Sequence, residues 1–469
     1  MAHQRFRKRA VGIVLAGVSM MLCMPLAARA ACVVTNTDDS GPGSLRACVA
    51  AGGQVVFSIS LYGKTIAVDE PIIVSKYVTI SGPGPDSLTI SGRVGVFAVS
   101  QGGLVSISGL TFANGGIRGV TDESPIFNRR GSVTVEHCIF SRNTSEFGGA
   151  ISTIGGALAV HHCTFSANSS NEGGAIFTPN GAFVEVTDST FSGNPAQDSG
   201  GAIYYRGTGS SVAGSNVLIV WDSTFTDNRA PSGGDLYISM PEGAADVINC
   251  TFSGNTGGIY INAPPLEVSN SILSVDCTDA GPGSSGCPTN GRSGNVVGVN
   301  AGLAPLGNYG GPTLTMLPLP GSAAICAGAL SEVRASADQR GFPRVNYSYT
   351  GYTPCVDAGA VQTNYQSVAF AQASYSGSPG VAISDPAPPL VSATENGQNR
   401  GGVPMTLSFI GTQPGSASGY GPVTTIAEFG ALFNLLKVGP AGSYTLEAVL
   451  PVLGGYILRA TAGLNITGH

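Results

Sequence analysis

One phrase returns five times along the middle of the chain: VTVEHCIFSRNTSEFGGAI, LAVHHCTFSANSSNEGGAI, VEVTDSTFSGNPAQDSGGAI, LIVWDSTFTDNRAPSGGDL and ADVINCTFSGNTGGIYI. Its small column, Cys138, Cys163, Ser189, Ser223 and Cys250, advances in steps of 25, 26, 34 and 27 residues. A weaker copy, LEVSNSIL, ends the series near Ser271, and VTISGPGPDSLTISG and VSISGLTFANGGI precede it with looser spacing. Units of this length cannot bury their apolar face alone, so they stack into a solenoid.

Within each copy apolar residues alternate, as at Val133/Val135, Leu158/Val160 and Val184/Val186. A mostly polar pair follows, then a second alternation such as Cys138/Phe140 and Cys163/Phe165, and the G-G-A-I segment starts a third. Period two means strands, and the polar pair means a bend. Three short strands per repeat describe one coil of a parallel β-helix, with coils stacked at a strand spacing of roughly 4.8 Å. Equivalent positions then form columns.

Columns decide how His161-His162-Cys163 is read. Cys163 shares an inward column with Cys138, two serines and Cys250, where small size matters. His162 shares a bend column with His137, Asp188, Asp222, Asn249 and Asn270. Asn, Asp and His are the non-glycine residues that best tolerate left-handed backbone, which a sharp bend requires. Successive side chains point to opposite faces, so the triplet does not converge on a metal. Asn143, Asn168, Asn194, Asn228 and Asn255 form a hydrogen-bonding column, and Phe140, Phe165, Phe191, Phe225 and Phe252 a core column.

Composition agrees with many strands and turns. Gly is 68 of 469 residues, about double the usual share of roughly 7%. Residues 1–30 carry five Lys and Arg and no acid, so the formal charge falls from −6 for the whole chain to −11 for residues 31–469. Only Lys64, Lys76 and Lys437 remain as lysines, which gives no footprint for nucleic acid or an anionic membrane. The start itself, MAHQRFRKRA before VGIVLAGVSMMLCMPLAA and ARA, reads as a secretory signal peptide cut after Ala30. No later stretch has the ~18 apolar residues of a membrane helix. An exported protein, secreted or at the cell surface, is expected.

The paired F-S-x-N and G-G-A-I motifs resemble the repeats of polymorphic outer-membrane proteins and other right-handed parallel β-helix surface proteins. VTNTDDSGPGSLRACVAAGG resembles the N-terminal motif of secreted bacterial proteins of that kind, and LAPLGNYGGPTLTMLPLPGSAAICAGAL, DQRGFPR and CVDAGAVQ resemble a choice-of-anchor Q domain. The resemblance covers roughly residues 31 to 362 and implies a fold more than an activity. Cys326 stands where that family usually has an acidic residue, which implies an added disulfide. A terminal run of membrane-barrel strands, a final aromatic residue, a sortase-type signal and an anchor helix are not visible in the sequence.

From about Ala369 the repeat is gone. GVPMTLSFIG, TIAEFGALFNLLKV, GSYTLEAVLP and GYILRATAGLNIT read as short strands between Gly and Pro turns, although FGALFNLLKV also fits a short helix. The expected architecture is all-β: a right-handed parallel β-helix over 31–275 with an N-terminal cap, a choice-of-anchor Q-like part over 276–362, and an immunoglobulin-like β-sandwich over 363–469. Nine cysteines follow residue 30. Three are the interior column, and six form close pairs: Cys32 with Cys48, Cys277 with Cys287, and Cys326 with Cys355. Export permits disulfides that close loops at solenoid ends. Zinc is the rival reading, favoured by no C-x-x-C or histidine spacing.

Two function classes compete. A carbohydrate-active β-helix, polysaccharide lyase or glycoside hydrolase, would need two carboxyl groups. Asp188 and Asp222, on neighbouring coils of one column, are the best pair, and the same pair is where calcium would sit. Asp227 and Asp235 are further acids, and Arg206 and Arg229 the available cations, the repeat block having no lysine. The favoured class is a non-catalytic surface protein: adhesin, glycan-binding module or envelope scaffold, whose partners are surface glycans or a host or neighbour cell surface. That reading assigns no catalytic residue, no cofactor and no metal, and no motif sets an oligomeric state.

Overall fold

The computed structural model describes residues 30–116, 124–208, 216–262, 266–279, 287–383, 389–400, 403–410 and 441–467, with the strand pairs at 417–418, 423–424, 431–432 and 437–438. The proposed signal peptide falls on residues outside this description. Of the stretch that also fitted a helix, only Ala431–Leu432 and Lys437–Val438 are described, both as strands.

Three parallel sheets of ten, ten and nine strands wind together into a β-solenoid of about nine turns. The first runs from Cys32–Val34 to Leu266–Ser269, the second from Lys64–Val68 to Val296–Val297, and the third from Ile72–Val74 to Cys277–Asp279. Register is kept coil after coil: Val133 faces Leu158, Leu158 faces Val184, and Val184 faces Leu218. Equivalent residues do form columns.

The core column begins one coil earlier than the regular repeat, at Phe112. From Phe112 through Phe140, Phe165, Phe191, Phe225 and Phe252 the rings stack with centroids 4.6–4.9 Å apart, all inaccessible to solvent. Each such contact adds about 0.5–1.5 kcal/mol beyond area burial. Beside it, Asn143, Asn168 and Asn194 each donate Nδ2 to the next coil's Asn Oδ1 at 2.9–3.1 Å. The same amides also donate to Phe carbonyls of the preceding coil, Asn168 to Phe140 and Asn194 to Phe165. A buried amide is thereby fully used.

The bend column adopts the left-handed backbone its residue types require: φ is 50° at His137, 51° at His162, 51° at Asp188, 47° at Asp222, 54° at Asn249 and 48° at Asn270. A second left-handed corner precedes each Asn of the ladder, at Arg142, Ala167, Gly193, Asp227 and Gly254. The third corner is the first glycine of each pair; the second glycine is needed for another reason. A Cβ on Gly174 would stand 2.1 Å from the carbonyl oxygen of Gly201 in the next coil.

Ser44 caps the helix Leu45–Ala51, accepting from the backbone N–H of Ala47, and Leu45, Cys48 and Val49 bury against the first coil. Cys32–Cys48 ties this helix to the first strand, Cys277–Cys287 closes a loop at the last strand of the third sheet, and Cys326–Cys355 lies beyond the solenoid. Cys138, Cys163 and Cys250 are free and buried.

After Val296–Val297 the chain leaves the solenoid and turns back. Residues 300–362 hold almost no regular strand, only isolated bridges such as Leu303 with Pro318 and Asn346 with Cys355. This strap lies along the outside of the second sheet. Its apolar residues Ala304, Leu317, Ile325, Tyr349 and Val361 share a core with Tyr365, Val391, Leu407, Leu446 and Leu464 of the strands that follow. Those described strands form two larger sheets, Tyr365–Phe370, Leu390–Glu395, Gln398–Arg400 and Ala431–Leu432 in one, and Ser374–Gly377, Tyr456–Ile466, Gly442–Leu453, Pro404–Ile410 and Val423–Thr424 in the other, with Ala417–Ser418 and Lys437–Val438 as a separate pair. Cys326–Cys355 therefore staples the strap to itself and does not close a strand edge at a solenoid end.

Candidate functional site

The second sheet presents an outward column of Thr164, Thr190, Thr224 and Thr251, in register on successive coils. Thr164 is partly exposed, whereas the other three are buried, because the strap covers them. Gln339 donates to Thr190 Oγ1 at 3.0 Å and accepts from Thr224 Oγ1 at 2.6 Å. Thr313 donates to the Asp188 carbonyl at 3.0 Å, and Ala360 N–H to Thr251 Oγ1 at 3.0 Å. Asn270 exchanges hydrogen bonds with both backbone groups of Ala329.

This cover reaches the two carboxylates that a hydrolase would use. Asp222 is paired with Arg344, and both side chains are almost wholly shut off from water. Arg344 also donates to the carbonyls of Gly359 and Ala360 at 2.9 and 3.0 Å. Burial pushes Asp222 up to about 6, against the pull of the Arg344 guanidinium. Asp188 is pushed up to about 7, first by burial and then by the charge of Asp222. Asp222 thus lies under protein with a cation committed to it, while Asp188 beside it is only partly covered. A polysaccharide cannot bring one bond against both carboxylates without lifting the strap from Asp222.

DQRGFPR is the hinge of this arrangement. Gln339 and Arg344 face the solenoid, while Arg340 turns to the C-terminal sheets, donating to Asp338 at 3.0 Å and to Glu395 at 3.0 Å with all three side chains buried. Arg400 adds a second contact to Glu395 at 2.8 Å.

The remaining candidates do not gather. His161 meets Thr187 Oγ1 at 2.9 Å on the outer first sheet, His162 lies 4.8 Å from the ring of His137 at the bend, and Cys163 is fully buried. Burial, then the neighbouring His137, lowers the pKa of His162. Asp235 is buried where other coils carry Ala150, Ala175 and Ala202; it accepts from Asn228 at 3.2 Å, and burial pushes its carboxyl well up. Asp227 and Arg229 belong to the second corner, and Arg206 ends a strand of the third sheet. Among the described residues one His/Cys/Asp/Glu group is tight enough for a metal: Cys326, Cys355 and Asp357. Its two sulfurs are bonded to each other, and Asp357 already accepts from Cys326 N–H, Thr363 N–H and Thr363 Oγ1. That set does not fit an ion.

The third sheet carries an outer aromatic column that the repeat phrase does not announce. Phe177, Tyr204, Tyr237 and Tyr260 are in register on four coils, with centroids 4.5–5.1 Å apart, and Phe147 stacks on Phe177 at 4.9 Å. Tyr237 and Tyr260 are partly exposed.

The Chlamydia polymorphic membrane protein repeat matches residues 162–179, a segment spanning the bend at His162, Phe165, Asn168 and the glycine pair. The chain is also 39% identical over 90 residues to a probable pectate lyase C of Neosartorya fischeri, covering 19% of this chain and 21% of that protein. Probable pectate lyases C of Aspergillus flavus and Aspergillus oryzae are each 40% identical over 91 residues, again 19% and 21%. The chain spans about a fifth of the length of these curated relatives. No solved structure matches it significantly. No helix among the described residues is long and apolar enough to cross a membrane. With a matching repeat and a solenoid built from its copies, the chain is a parallel β-helix repeat protein.

Proposed function

We propose that this is an exported, non-catalytic surface or secreted protein that binds glycans or displays a scaffold. The observation that carries the reading is the burial of Asp222 beneath the strap, where it is paired to Arg344. Catalysis at a glycosidic bond needs an acid and a base that reach the substrate, and Asp222 reaches Arg344 instead. On this reading residues 1–30 are a signal peptide, and 31–275 a right-handed β-helix with its cap. Residues 276–362 are a choice-of-anchor Q-like segment and 363–469 an immunoglobulin-like sandwich. The disulfides fit an oxidising, extracellular setting.

The likeness to pectate lyases over 90 residues favours a second reading, a carbohydrate-active β-helix enzyme. One assay separates the two. The mature protein is incubated with uronate-containing and neutral polysaccharides, with and without calcium, beside Asp188→Asn and Asp222→Asn. Saturable binding without product, unchanged in both variants, is expected. Turnover lost in either folded variant would establish the enzyme.

A further inference from the structure

The strands bearing the aromatic column continue into a polar one. Two residues beyond Tyr204, Tyr237 and Tyr260, on the same face, stand Arg206, Ser239 and Asn262, in register on three coils. Asn180 on the coil before and Thr208 join them around a hollow of about 580 Å³. That is the size range of ligand sites, roughly 300–1,000 Å³. Arg206, exposed, is the one charge lining it, and no carboxylate does so among the described residues. Glu172 lies close enough to Arg206 for each to act on the other's charge, but it does not line the hollow.

We infer that this face binds an acidic glycan, laid along the solenoid axis with a sugar carboxylate on Arg206. The inference rests on the binding reading above and names its site and ligand class. A guanidinium binds a carboxylate through paired, charge-assisted hydrogen bonds. The amides of Asn180 and Asn262 and the hydroxyls of Ser239 and Thr208 both donate and accept, as sugar hydroxyls demand. Beside them the column of Tyr204, Tyr237 and Tyr260 shows the partly exposed edges of Tyr237 and Tyr260, an apolar body with a phenol, the amphipathic surface that suits a pyranose ring. Coil spacing of 4.5–4.8 Å between these tyrosines repeats the contact along the axis, close to the advance of one sugar unit in an extended chain. A neutral glycan would offer the exposed Arg206 guanidinium no opposite charge.

The test is calorimetric binding of hyaluronan oligosaccharides, the same oligosaccharides with reduced carboxyl groups, and cellohexaose to the full mature protein. Arg206→Gln is compared with Arg229→Gln, an exposed cation elsewhere. Hyaluronan oligosaccharides should bind the wild type and Arg229→Gln equally. Arg206→Gln, and carboxyl reduction with the wild type, should each weaken binding about tenfold or more, the worth of a charge-assisted contact. Equal affinity for Arg206→Gln and wild type, or for acidic and reduced glycan, overturns the site. Binding of cellohexaose alone overturns the acidic ligand while leaving the binding reading intact. Release of an unsaturated uronate product overturns that reading instead.

Discussion

The guanidinium of Arg344 meets the carboxylate of Asp222 across 122 residues of chain, with both side chains almost wholly shut off from water. The contact fastens the strap to the repeats at the point where the sequence placed a hydrolytic pair. Breaking one side of such a pair leaves an uncompensated buried charge. Arg344→Met should therefore lower stability by about 3–5 kcal/mol. Asp222→Asn with Arg344→Met should recover most of it, since Asn249 and Asn270 hold the same bend with φ of 54° and 48°. Denaturant melts of the double-mutant cycle measure this, and a double variant as unstable as Arg344→Met would sink it.

Asp188 makes stability depend on pH. Its folded pKa, about 7, lies above its ordinary value, so the folded state resists ionisation. Its contribution is full below the ordinary Asp pKa of about 3.9 and is lost as pH rises toward 7. Asp188→Asn should flatten the fall in unfolding free energy between these limits, measured by denaturant melts, by on the order of 2 kcal/mol given partial screening. An unchanged slope would refute the assignment.

Asp235 occupies a position that is alanine in the three coils before it. Its carboxyl is buried with one hydrogen bond and one unpartnered oxygen. Asp235→Ala should raise the urea midpoint at pH 8 by the equivalent of about 1–3 kcal/mol, the cost of an unsatisfied buried polar group. The gain should shrink in acid, where the carboxyl in the unfolded chain is also protonated.

Two backbone substitutions should act in opposite directions. Ala167 has φ of 53° at a corner where other coils carry Gly193 and Gly254. Ala167→Gly should stabilise by about 1 kcal/mol, the strain of a left-handed non-glycine residue. Gly174→Ala would force a methyl to within 2.1 Å of the next coil's carbonyl, and loss of soluble expression or a large drop in melting temperature is expected.

Thiol titration of the unfolded, unreduced mature chain should find three free thiols, at Cys138, Cys163 and Cys250. Replacing Cys32 and Cys48 by serine should cost about 2–4 kcal/mol. Nine free thiols would contradict the three bridges.

The columns were legible because a solenoid copies sequence period directly into space. Phe140 predicts Phe165, and an Asp among His and Asn residues marks a bend. The Cys/Ser column carried more than its size. Cys163 N–H is satisfied by Ser189 Oγ at 3.1 Å, and Ser189 N–H by Ser223 Oγ at 3.1 Å, so the small residue is also an acceptor. The Arg142/Ala167/Asp227 corner was missed because its residue types vary, although two glycines in that column signalled it. That the strap docks back on the repeats was not legible. Its contacts join Gln339 and Arg344 to residues more than a hundred positions earlier through single hydrogen bonds without a period. The recurring outward threonine, Thr190, Thr224 and Thr251, was the available hint.

The strap grips four successive coils, at Asp188, Asp222, Thr251 and Asn270, with a chain of fixed length. It works as a ruler. Duplicating a whole coil ahead of Thr164 leaves every gripped position in place, because each coil offers the next the same interface. Duplicating one between Asp188 and Asn270 shifts the far grips by a full coil spacing and puts Gln339 and Arg344 out of step with their partners. The molecule is thus free to vary in length at its amino-terminal half and is gauged at the other.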